Sequence, residues 1–147
     1  MREILFRGKR IDNCEWVYGS FCMDAIEQFN GLCGVDGFIC LYDKEKGKMQ
    51  TYEVDRKTVG QYTGLKDKNG KRIFEGDIVT QNWYDYDEPS DDSFGEVVFC
   101  EYDCSFSVMD IQKDGIDPLG RCHAYHWEAE VIGNIHDNKL EDFDNGR

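Results

Sequence analysis

Proline is almost absent from this chain: there are 2 in 147 residues, against 15 glycines. That scarcity argues against stiff extended linkers and for a chain that reverses in tight turns. No apolar run approaches the ~20 residues a membrane span needs, and Met1-Arg2-Glu3 opens no secretion signal. The expectation is a protein without a membrane anchor, kept in the cytoplasm of the cell that makes it. Seven cysteines are present, Cys14, Cys22, Cys33, Cys40, Cys100, Cys104 and Cys122. An odd number without an export signal excludes a full disulfide framework and favours reduced thiols, which when buried behave as small apolar groups.

Positive charge is scarce in one half only. Residues 1–70 hold eleven Lys or Arg and eleven Asp or Glu, whereas residues 71–147 hold six and nineteen, so the second half carries the entire −13. Such a surface repels phosphate backbones and argues against direct nucleic-acid binding through that half. Arg2, Arg7, Lys9 and Arg10 form a modest basic cluster near the start, but four charges near a terminus are usually just solvated. With 40% hydrophobic and 14% aromatic residues the chain can bury a core, and 17.1 kDa fits one domain or two small subdomains.

Short runs rich in β-branched and aromatic residues recur between glycines, asparagines and aspartates: residues 4–6, 15–18, 37–42, 49–54, 78–83, 94–101, 105–111 and 128–135. Residues 24–29 could form one helical turn, and Gly31, Gly34 and Gly37 make residues 22–37 read as a mobile loop. Asn69-Gly70 predicts a type I′ hairpin turn, which needs positive φ at both central residues. Gly76-Asp77 predicts a second tight corner. The pattern is mainly β, with helical turns a minor feature.

Residues 58–79, TVGQYTGLKDKNGKRIFEGDIV, carry more identity than chemistry. Together with Arg2-Glu3-Ile4-Leu5-Phe6-Arg7-Gly8-Lys9 and Trp16-Val17-Tyr18-Gly19 at the start, and Glu130 to Asn138 (EVIGNIHDN) at the close, this stretch resembles the YopX family, small proteins encoded in phage and prophage genomes. The resemblance brings no biochemical activity and no cofactor with it. It implies a YopX-like fold of two intimately packed β subdomains. Residues 1–73 would form a β-rich first subdomain. Residues 74–136 have the length and turn spacing of a small SH3-like barrel with an acidic loop at 84–93, and residues 137–147 form an acidic tail expected to fray. The glycines of residues 58–79 read as turns and their charges as solvent-exposed.

Candidate chemistry is sparse. Cys100, Cys104, Cys122 and His126, spaced C-x3-C-x17-C-x3-H, are the group that most resembles a zinc site. If residues 101–103 were a hairpin loop, Cys100 and Cys104 would face each other across it. The tight two-residue knuckles usual for zinc are absent, so ordinary thiols outweigh a metal. A thiol nucleophile is rejected: Cys122 and His123 point to opposite faces of a strand, and Cys122 and His126 would lie about 13 Å apart on one. Gly60, Gly64 and Gly70 lack the helix N-terminus and Gly-Lys-Ser/Thr ending of a phosphate loop. Trp16, Tyr18, Tyr62 and Trp83 could stack single-stranded bases, yet such aromatics are more often core.

Asp85, Asp87, Glu88, Asp91 and Asp92 lie in the acidic loop without EF-hand spacing, so they are candidates for interaction rather than for a cation. The expected function is therefore a non-enzymatic module that binds a host or phage protein, with self-association open. The alternative is an accessory factor in phage DNA or RNA metabolism, acting on a nucleic-acid-binding protein through its acidic surface.

Overall fold

The computed structural model describes residues 3–22, 37–81, 84–85, 88–89, 93–110, 116–118, 129–139 and 143. Every element formed by them is a strand. The helical turn expected at 24–29, and nearly all of the loop at 22–37, lie outside the described residues. The chain divides into two compact units, Met1–Tyr62 and Thr63–Arg147.

The first unit is built from β1 (Phe6–Arg10), β2 (Trp16–Cys22), β3 (Phe38–Asp43) and most of β4 (Lys48–Lys66), all antiparallel. The start of β4 pairs with β3, and its continuation pairs with β1, so the hydrogen bonding returns to the strand where it began. Within the pairing to β1 the register shifts between Asp55 and Gly60, and polar side chains close this bulge. Asp55 Oδ1 accepts the Lys57 amide (2.9 Å), while Thr58 Oγ1 donates to the Asp55 carbonyl (2.7 Å) and accepts the Lys9 amide (2.8 Å). Alternation then sets the inner face: Ile39 and Val54 are fully buried, and Gly8 faces Val54.

The second unit takes the end of β4, which pairs with β5 (Arg72–Phe74), and then β6 (Asp77–Gln81), β7 (Tyr84–Asp85), β8 (Glu88–Pro89), β9 (Ser93–Cys100), β10 (Ser105–Asp110), β11 (Ile116–Pro118) and β12 (Val131–Asn134). Its main sheet runs β11-β10-β9-β6-β12 and is antiparallel throughout. Ile73, Val79, Val97, Val108, Ala129 and Val131 form its core, with Leu65 and Phe106 packed against them. Phe143 of the tail, where fraying was expected, packs at a tilt against Phe94 with ring centroids 5.8 Å apart.

Residues 58–79 depart from the sequence expectation in three ways. Gly60 and Gly64 are inside β4 rather than in turns. The Asn69-Gly70 reversal is real but is not type I′. Asn69 does not have positive φ, and only Gly70 does (φ 80°). Gly70 N donates to the Asp67 carbonyl (2.9 Å) and Asp67 N to the Lys71 carbonyl (2.8 Å), which is a type I turn followed by a left-handed glycine.

Third, two of the charges are buried, not solvated. Asp67 is 7% exposed and Asp77 is 1% exposed. Asp67 Oδ1 accepts the amides of Asn69 and Lys71 (2.8 Å each), and Oδ2 accepts the amide of Val131 (3.1 Å), 64 residues away. Asp77 Oδ2 accepts the Phe74 amide (2.8 Å) and so closes the Gly76 corner. Both aspartates satisfy backbone donors that the turns would otherwise leave open inside the protein.

Burial is the largest single influence on Asp67 and opposes its ionisation. The amides of Val131, Lys71 and Asn69, with the Lys71 charge, outweigh it and hold the carboxyl below its ordinary value of 3.8. The folded form thus favours the ionised acid. Its contribution is complete above 3.8 and is lost as pH falls through the lower folded value. Asp67→Asn sets an amide against an amide, and urea unfolding at neutral pH is expected to show a loss of about 2 kcal/mol. Wild type and variant should converge in acid.

Candidate functional site

The register of the first unit places Arg7, Lys9, Trp16, Tyr18, Ser20, Cys22, Phe38, Cys40, Tyr42, Met49 and Thr51 on the outer side of the sheet. The outer side of an antiparallel sheet is ordinarily polar. Here Tyr42 and Met49 are direct cross-strand partners, each 58% exposed, and Tyr18 is 47% exposed. Trp16, Phe38 and Cys40 are half-buried beside them. The run Phe38-Ile39-Cys40-Leu41-Tyr42 held the signal for this surface. Apolar residues at both odd and even positions of one strand give it two apolar faces, and only one can be the core.

Three members of the basic cluster are engaged with aromatic rings. Arg7 is buried, with its guanidinium 4.7 Å from the centroid of Trp16, and Lys9 Nζ lies 5.5 Å from the same ring. Arg10 is 4.6 Å from the Tyr52 ring and donates through Nε to Asp12 (2.8 Å). The Asp12 hydrogen bond and charge raise the Arg10 value further, and the Arg10 hydrogen bond lowers that of Asp12. Arg2 lies outside the described residues. The base-stacking group also separates: Trp16 holds two cations, Tyr62 is core at 4% exposure, and Trp83 lies outside the described residues. Tyr18 alone of the four is an exposed ring among the described residues.

The proposed facing of Cys100 and Cys104 is corrected. Cys100 pairs with Ser105, so the connection is four residues long and Cys104 belongs to the turn itself. Cys104 adopts φ 55° and directs its thiol to the Glu101 carbonyl (3.7 Å). Cys122 and His126 lie outside the described residues, and among the described residues no group of three or more His, Cys, Asp or Glu is placed to hold a metal.

Of the acidic candidates, Asp85 and Glu88 belong to β7 and β8, while Asp87, Asp91 and Asp92 lie outside the described residues. The loop expected at 84–93 therefore contains a two-stranded pairing, with Tyr84 opposite Pro89 and Asp85 opposite Glu88. A further acid escaped the sequence reading. Burial raises the carboxyl of Glu96, whose cross-strand neighbours are Ile78 and Met109. A lone perturbed acid is not a catalytic constellation.

A family model described as YopX protein matches residues 5–141, nearly the whole chain. The chain belongs to the YopX family. No curated protein matches it. Among solved structures it is similar to protein EF1440 from Enterococcus faecalis, at 21% identity over 94% of this chain and 96% of that one, with a TM-score of 0.49. Of the stretches that carry the family resemblance, residues 63–79 and 130–138 hold the turn supports of the second unit, while residues 16–19 include the exposed Tyr18 of the first. No helix among the described residues is long and apolar enough to cross a membrane.

Cys104 bears a β-carbon in a left-handed conformation that glycine adopts freely. Cys104→Gly is expected to raise stability by about 0.5 kcal/mol, the relief of strain exceeding the added freedom of the unfolded chain. Thermal unfolding of the reduced protein checks this.

Proposed function

We propose that this YopX protein is a non-enzymatic binding module. It would be encoded by a phage or prophage, act in the cytoplasm of the bacterial host, and dock a host or phage protein on the outer sheet face of the first unit. The observation that carries this reading is the exposure of Tyr42, Met49 and Tyr18 on a sheet face that water alone would select to be polar. Aromatic and methionine side chains are enriched in protein interfaces, where they bury much area at small entropic cost. The first unit holds nine Lys or Arg and ten Asp or Glu, so no strong net charge repels a protein from it.

The second unit, with eight basic and twenty acidic residues, fits a supporting role. We read it as a small SH3-like barrel whose charge steers basic partners and repels nucleic acid. The Asp85–Glu88 pairing favours a second reading, an accessory factor in phage DNA or RNA metabolism that occupies a nucleic-acid-binding protein through acidic residues. A second copy of this chain is a further occupant that the outer face would accept.

Tagged protein exposed to host lysate, with and without nuclease, separates these readings. Wild type is expected to retain a defined protein after nuclease treatment, and Tyr42→Ser with Met49→Ser should reduce its recovery about tenfold, the size of a modest interface hot spot. Unchanged recovery by that double variant would sink the outer-face reading. Loss in Asp85→Asn with Glu88→Gln, together with a steep fall in salt, would support the second reading instead.

A further inference from the structure

Cys22 on β2 and Cys40 on β3 lie on the outer face proposed above for docking, yet that reading gives their thiols no role. Ser20 pairs with Cys40 and Cys22 with Phe38, so the two cysteines are diagonal neighbours on the same outer face of adjacent strands. Cys22 is exposed and Cys40 half-buried, so both can be reached from solvent, and Cys40 Sγ also lies 3.7 Å from Thr51 Oγ1. Cys40 beside it first, and burial second, push the Cys22 thiol above its ordinary value. Two reduced thiols thus share one face of a neighbouring strand pair.

From this geometry we propose that Cys22 and Cys40 form a reversible redox pair that closes into a cross-strand disulfide under oxidising conditions. The oxidant is a small-molecule disulfide such as oxidised glutathione. One cysteine thiolate attacks it, releasing one small thiol and leaving a mixed disulfide. The second thiolate then displaces the other small thiol, so two protein thiols lose two electrons and two protons and one disulfide is reduced to two thiols.

Diagonal positions on a sheet are farther apart than the directly opposite ones, with Cα atoms about 7–8 Å apart, at or beyond the long end of the disulfide range. Closure therefore draws β2 and β3 together under strain. Strained, exposed disulfides are the easily reduced ones, which fits a switch in a cell that keeps thiols reduced and does not fit a permanent staple. The bond would join the strands that carry Tyr18 and Tyr42 and would close the chain between residues 22 and 40 into a covalent ring.

The test uses the full chain in buffers of graded oxidised and reduced glutathione, with rapid alkylation and peptide mapping by mass spectrometry. As the buffer becomes oxidising, a peptide pair linked through Cys22 and Cys40 should appear with the loss of two alkylation sites, and reduced glutathione should reverse it. Because the second thiol is held beside the first, the linked form should exceed the Cys22–glutathione adduct about tenfold. In Cys40→Ser that adduct should accumulate in its place. The proposal is overturned if wild-type Cys22 and Cys40 remain alkylated, if each carries glutathione separately, or if either links to a different cysteine.

Discussion

One carboxylate organises the turn-rich part of this protein. Asp67 sits in the hairpin between β4 and β5, yet it accepts amides both from its own turn and from Val131 at the start of β12. The backbone adds a parallel link, since Lys68 N donates to the Ala129 carbonyl (2.9 Å). Lys68 Nζ reaches Glu130 at 2.6 Å, and Asn69 Nδ2 donates to Glu130 Oε1 at 3.2 Å. These outer contacts are partly exposed and individually weak. The buried acid is not, because losing it leaves the buried Val131 amide without its acceptor and frees two amides of the turn. The side of the core that includes Ile73, Val79 and Val131 depends on that arrangement.

Strand positions were legible because alternation and turn residues are local. Residues 37–42, 78–83, 94–101 and 105–111 all fall on or close to observed strands. The length of β4 was not legible: Gly60 and Gly64 look like turn residues, and only a long-range pairing, Arg7 opposite Gly60, shows that one of them is part of a ladder. The burial of Asp67 and Asp77 was equally hidden. A charged residue in a turn-rich segment is solvated by default, and what reverses that default is an amide 64 residues away in one case and a closed corner in the other. The closing motif behaves in the same way. Asn134 accepts the amides of His136 and Asp137 through its side chain, while its own amide donates to Asn138 Oδ1, and a β-carbon at Gly133 would lie 2.5 Å from that same Oδ1.

The stretches that carry the family resemblance serve both scaffold and surface. Asp67, Asp77 and Asn134 satisfy backbone groups in the second unit. Arg7, Lys9, Trp16 and Tyr18 lie on the outer face of the first unit, beside Tyr42 and Met49 of β3 and β4.

The central claim is that a single buried carboxylate couples a local turn to a distant strand. Amide hydrogen exchange of Asn69, Lys71 and Val131, compared between wild type and Asp67→Asn, tests it most directly. The account predicts that all three amides are protected in the wild type and that all three accelerate together in the variant, Val131 as much as its two turn neighbours. Acceleration confined to Asn69 and Lys71, with Val131 unchanged, would contradict it.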